Sequence, residues 1–357
     1  MNQSGGTDEE IPSNAWVPGK EPEMSATTPY TQGRSRFRLP PLLRLTLSRL
    51  GSGVLSITAV SIIVFWATLV LPGNAATAIL GQSATPERLA ELTEKLKLDQ
   101  PPLEQFLSWI GNALTLNFGN SLANGESVVA LLAPRLVNTG ILLLIATVVS
   151  TVLGIVFGIV AASRRDGWFD HVASVAALVA SALPEFVVAI FVILVFSVAV
   201  FHWFPAVSVM PPGDTVLGHL DQLVLPALTL VIVVTPYVFR MMRAATIEAL
   251  SSEYAELATL KGLSRRRILI RHAMPNALAP TVQVVGLNIL YLAGGVVLVE
   301  SVFNYQGVGL ALVSAVTTRD VPVIQYVVLL LAFFYVLLNI ATDVVVLALT
   351  PRRRKSV

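Results

Sequence analysis

The 357-residue chain contains no cysteine, which excludes disulfides, thiolate chemistry and cysteine-held metals. Charge is scarce too: Asp, Glu, Lys and Arg make up 13% of the residues, against about 25% in a typical soluble domain. Of the four histidines, His202, His219 and His272 show no metal-site spacing and His171 reads as an interfacial loop residue. No G-x-x-x-x-G-K-[ST] phosphate loop is present, so this chain is not expected to hydrolyse ATP. A net charge of +2 gives no reason to expect nucleic acid as a partner. Nothing resembles a cleaved signal peptide.

What is abundant is apolar: hydrophobic residues are 54% of the chain and mean hydropathy is +0.73. A water-soluble fold could not bury that much apolar surface, and the surplus is gathered in long runs, as lipid solvation requires. A helix needs about 20 apolar residues to cross the hydrocarbon core at about 1.5 Å per residue. Six segments qualify: Gly51 to Leu71, Thr139 to Ala162, Val172 to Phe201, Leu223 to Val238, Ala279 to Phe303 and Val323 to Leu349. The expected fold is all-α, a polytopic membrane protein with six transmembrane helices.

The flanking segments divide the chain further. Residues 1–40 are polar and rich in Ser, Thr, Pro and Gly, composition that reads as a disordered tail. Leu42 to Leu50 interleaves leucines with Arg44 and Arg49, suiting an amphipathic stretch at the membrane surface. Residues 41–138 then hold the first span and a long loop, and residues 139–357 a five-helix core. In the loop, Thr85 and Pro86 suit a helix start, with Leu89, Leu92 and Leu96 on one face. A second run carries Phe106, Leu107, Trp109, Ile110 and Leu114. A packed external cap and direct contact with a soluble partner both fit this segment.

Lys and Arg set the expected orientation, because short basic loops stay cytoplasmic. One side collects Arg34 to Arg49, Arg164, Arg165, the Arg240 to Arg271 loop and Arg352 to Lys355. The other holds Arg88, Lys95, Lys97, Arg135 and Arg319, mostly in one long loop where the rule is weak. Both termini are therefore expected in the cytoplasm.

The loop between the fourth and fifth apolar segments, at about 244–276, is the most patterned part of the chain. Ala244 to Lys261 reads as one helix, with Ile247, Leu250, Tyr254, Leu257 and Ala258 on one side. Gly262 ends it, since a residue without Cβ takes the left-handed turn at little cost. Ser264 then suits the cap of a basic helix running through Arg265, Arg266, Arg267 and Arg271 to Pro275. Such a helix pair could fit a partner's groove or anchor the spans to anionic headgroups.

Glu256-Leu257-Ala258, three residues, Gly262, nine residues and then His272-Ala273-Met274-Pro275 resemble the EAA loop of ABC import permeases, departing from it at Leu257, His272 and Met274. LDQPPLEQFLSWIGNAL, FGNSL, ALPEFVVAI, LVLPALTL, RHAMPNAL, GGVVLVESVFNYQGVGL and TTRDVPVIQ extend the resemblance over nearly everything after residue 40. They narrow it to the branch importing dipeptides, oligopeptides, glutathione or nickel chelates. The resemblance implies a coupling helix with Glu253, Glu256, Ala258, Gly262 and Pro275 at the ATPase contact. It also implies a second homologous permease subunit, two ATP-binding subunits that hold ATP and Mg, and an extracytoplasmic substrate-binding protein. The setting it implies is a bacterial cytoplasmic membrane, with no cofactor and no metal in this chain.

Ionisable residues at membrane depth cost roughly 2.5 to 3.5 kcal/mol on insertion scales and so face protein or water. Glu185 follows Pro184, a helix breaker, and is the first candidate for the translocation path, with Asn339 and Asp343, which share a face, as further candidates. Hydrogen bonding between spans is the structural alternative for each, and for Glu300 near the end of the fifth segment. Gly154 and Gly158 form a GxxxG spacing, and Gly294-Gly295 also suit close helix contact. The leading reading is an import permease forming half of a path for peptides. A proton-coupled secondary transporter is the alternative from another class, but it would need an inverted repeat that is not evident. An intramembrane enzyme is third, without a nucleophile–base pair.

Overall fold

The computed structural model describes residues 41–70, 99–211 and 216–349, with a few positions between 85 and 93. The expected tail at 1–40 and the leucine face of Leu89, Leu92 and Leu96 lie outside the described residues. Eleven helices are used below: α1 Pro41–Val70, α2 Pro102–Leu114, α3 Val128–Ser163, α4 Trp168–Ala182, α5 Glu185–Ile193, α6 Leu220–Leu250, α7 Glu253–Leu260, α8 Arg265–Ile268, α9 Met274–Val302, α10 Val308–Thr318 and α11 Val321–Leu349. No β-strand occurs among the described residues, only an isolated bridge between Asn120 and Ser127.

Five long helices are apolar enough to cross a membrane, and α4 with α5 makes a sixth crossing if the bent pair is one span. The bend is 109°. Leu183 (φ −89°, ψ 134°) and Pro184 (φ −61°, ψ 147°) are both extended, because proline disfavours helical backbone at the residue before it and cannot donate to the preceding turn. A new helix starts when Val187 and Val188 donate to the Pro184 carbonyl at 3.0 and 3.2 Å. A π-turn, Leu194–Ala199, continues α5.

α6 is the centre of the bundle, packed by α3, α9, α4 and α5. Its apolar window is 67% buried, against 22% to 28% in the other long helices. The GxxxG glycines make the α3–α6 contact possible: a Cβ on Gly154 would lie 2.6 Å from Val238 Cβ, and one on Gly158 2.8 Å from Met242 Cβ. Gly294, by contrast, has open space beside it, so the expectation of close contact holds only for its neighbour Gly295. Pro226 removes the donor that the Gln222 carbonyl would have used in α6, and the Ser208 hydroxyl donates to that carbonyl instead, at 3.2 Å.

The helices run past the apolar segments. α6 extends to Leu250, well beyond Val238, and α3 begins at Val128 rather than Thr139. α1 takes in the Arg44 and Arg49 stretch in one continuous helix. The apolar run marks what lipid must cover, while the backbone hydrogen bonds continue as long as nothing interrupts them.

Candidate functional site

The 244–276 segment departs from its expected form in three places. Ala244 to Lys261 is two helices rather than one, because α6 stops at Leu250 and Ser252 is extended (φ −78°, ψ 153°). Both serines of the break turn their hydroxyls back onto α6, Ser251 to Ile247 and Glu248 carbonyls and Ser252 to that of Ala249 at 2.7 Å. Ser264 occupies the cap position of α8, but its carbonyl rather than its hydroxyl receives the Arg267 and Ile268 amides. Pro275 does not end a helix. The backbone widens through a π-turn, Leu269–Ala273, and runs on as α9, which accommodates a proline whose ring and missing N–H would disturb a regular turn.

Gly262 does what its position suggested. Its φ is +77°, and the Gly262 and Leu263 amides donate to the Thr259 and Ala258 carbonyls at 2.9 and 3.2 Å, the paired bonds of a Schellman turn. The turn folds α8 back on α7 around Ala255, Ala258 and Ile268, with Leu250 and Leu263 against them. Ala258 is thus buried inside the protrusion. Glu253, Glu256 and Gly262 are exposed, as are Tyr254, Leu257 and Leu260 at 41%, 58% and 78%. The apolar side of α7 is therefore partly open, with Arg265, Arg266 and Arg267 exposed beside it. Pro275 lies at the base, also exposed, where Asn276 donates to the Tyr254 hydroxyl at 3.1 Å and ties α7 to α9.

Where α6 enters this protrusion, Asp170 of α4 is almost fully buried and accepts Arg243 Nε at 2.5 Å and Nη2 at 2.7 Å. The Asp166 amide adds a third bond to the same carboxylate at 3.1 Å. The protrusion is therefore joined through α6 to the first half of the broken span.

Glu185 stands directly after the break. Tyr291 of α9 donates its hydroxyl to the Glu185 carboxylate, and Gly295, one turn on, leaves room for that carboxylate, since a Cβ there would be 3.2 Å from Oε1. The Tyr237 ring of α6 is 6.0 Å from that of Tyr291, and the Arg240 guanidinium sits 5.3 Å above Tyr237. Asn339 and Asp343 are not gathered with this group by any described contact. Asn339 is half-buried, and Asp343 takes Arg49 Nε of α1 at 2.6 Å.

The opposite end of the bundle is held by two carboxylates. Glu300 is fully buried and accepts the Thr139 hydroxyl at 2.6 Å and the Gly309 and Leu310 amides of α10 at 2.7 and 3.2 Å. Asp320 accepts the Ser121 hydroxyl and the Leu122 amide, the latter at 3.1 Å, fastening the 120–127 turn to the α10–α11 junction. Tyr291, Asp170 and Asp320 carry no local pattern that would mark their contacts in the sequence, since Glu185, Arg243 and Ser121 lie far along the chain.

Residues 154–355 match the binding-protein-dependent transport system inner membrane component family, and residues 42–143 match its N-terminal companion. The chain belongs to this family. A putative peptide transport system permease protein of Brucella abortus is 35% identical over 310 residues, 87% of this chain and 98% of the relative. A probable peptide ABC transporter permease protein of Sinorhizobium fredii is 34% identical over 308 residues, 86% of this chain and 98% of the relative. A glutathione transport system permease protein of Shigella flexneri is 33% identical over 313 residues, 88% and 99% of the two chains. This protein is thus a multi-pass permease subunit of an ABC importer, without an ATPase site of its own. It works with a substrate-binding protein and an ATPase, and the secondary-transporter and enzyme readings fall away.

Proposed function

We propose that the permease forms half of a translocation path for peptides across a bacterial cytoplasmic membrane, with both termini in the cytoplasm. A second homologous permease supplies the other half, two ATP-binding subunits hold ATP and Mg, and an external binding protein delivers the peptide. No cofactor or metal belongs to this chain's role. The peptide substrate follows from relatives named as peptide permeases. Glutathione is the second reading, favoured by the glutathione permease among them and itself a short peptide.

One observation carries the mechanism: α7 and α8 fold back on each other around Gly262 while Tyr254, Leu257 and Leu260 stay exposed at the tip. We assign this protrusion, with Glu253, Glu256, Ala258, Gly262 and Pro275 shaping its surface and base, as the contact that receives the ATPase stroke. Glu185 is the residue we place on the path, because it borders the broken crossing of α4 and α5. Asn339 and Asp343 are secondary candidates for the same role.

Gly262→Val tests the assignment. A β-branched residue at φ +77° is strained whatever the space around it. The variant should insert and assemble, yet lose ATP-driven uptake by an order of magnitude or more while ATP hydrolysis persists. Normal uptake would reject the assignment.

A further inference from the structure

Glu185, Tyr291, Tyr237 and Arg240 lie on three different helices, α5, α9 and α6, and form a contact chain with a negative group at one end and a positive group at the other. All four retain solvent-accessible surface: Arg240 and Tyr291 are exposed and Glu185 and Tyr237 half-buried. Neither charge is spent within the fold. Among the described residues, neither Glu185 nor Arg240 takes part in an ion pair such as that of Arg49 with Asp343 or Arg243 with Asp170. Glu185, at the break of a crossing, must face a polar partner or water rather than lipid, and Arg240 lies just past the fourth apolar segment.

Resting on the reading of Glu185 as a path residue, we infer that this group is a peptide subsite in which Glu185 takes the N-terminal ammonium and Arg240 the C-terminal carboxylate. The Tyr291 hydroxyl donates to Oε1 of Glu185 and leaves Oε2 to accept from an ammonium. Arg240 sits over the Tyr237 ring in a cation–π contact, and its exposed guanidinium would pair with a carboxylate. The two tyrosine rings give the backbone between the termini a surface indifferent to side-chain identity.

The test uses the complete transporter in proteoliposomes with saturating binding protein. It compares free, N-acetylated and C-amidated forms of one tripeptide against Glu185→Gln, Arg240→Gln and Tyr291→Phe. Because the binding protein is common to all, any change in the ratio between peptide forms belongs to the permease. Wild type should prefer the free peptide. Glu185→Gln should reduce its preference over the N-acetyl form at least fivefold and spare that over the amide; Arg240→Gln should do the reverse. Tyr291→Phe should weaken only the ammonium preference, which keeps the test decisive if Glu185→Gln fails to assemble. Equal loss for all three forms, or loss of co-purifying subunits in every variant, would overturn the subsite while leaving peptide transport intact. A wild-type complex that moves none of the peptides would instead overturn the substrate assignment itself.

Discussion

The Arg243 guanidinium closes a two-point bond on the Asp170 carboxylate, with Nε at 2.5 Å and Nη2 at 2.7 Å, across 73 positions of sequence. The pair links α4 to α6 two turns before α6 gives way to the α7–α8 protrusion, so under the proposed coupling role it would connect that protrusion to the broken crossing. Asp170 is buried at this contact, while the Arg243 side chain stays partly exposed.

Asp170→Ala should therefore be far more harmful than its position in the first turn of α4 suggests. Losing hydrogen bonds to a charged partner costs about 1.5–3 kcal/mol, and because Arg243 is partly exposed the loss stays below the about 3–5 kcal/mol of a fully buried pair. We expect a lower melting temperature in detergent and reduced coupling of ATP hydrolysis to uptake, with partial recovery in the Asp170→Asn/Arg243→Gln double variant. Recovery is the sign of a paired interaction rather than of lost packing.

The glycines of α3 make a sharper comparison. Gly158→Leu places atoms where Met242 and the α6 backbone already stand, and overpacking of this kind costs about 1–3 kcal/mol or more. Gly294→Ala meets open space and should leave melting in detergent close to wild type. A similar loss for both would mean that the α3–α6 approach does not govern stability.

At the other end, Asp320→Ala leaves the Leu122 amide and the Ser121 hydroxyl without their acceptor. Amide exchange at 120–127 should accelerate by about tenfold, as expected for the loss of roughly 1.4 kcal/mol of local protection. Exchange in α3 beyond the turn should be unchanged.

The parts of the fold that depend on local rules were readable in the sequence. Apolar length gave the crossings, Pro184 the break in the third, and Gly262 the turn, because each follows from a run of residues or one backbone conformation. The helix ends were not readable, since a helix such as α6 continues past its apolar run to Leu250, where the serine hydroxyls intervene. Nor did Pro275 stop a helix, because a π-turn absorbs it. The grouping of Tyr291 and Tyr237 with Glu185 was not readable either: aromatic residues in apolar helices are ordinary, and only folding brings them together.

The absence of cysteine allows a direct test of the protrusion, since Leu257→Cys would carry the chain's only thiol. Leu257 is 58% exposed at the tip of α7. Maleimide should label the isolated permease readily and the assembled transporter at least tenfold more slowly, with the ATPase subunits giving the protection. Equal labelling of the isolated and assembled forms would contradict docking of the ATPase on α7.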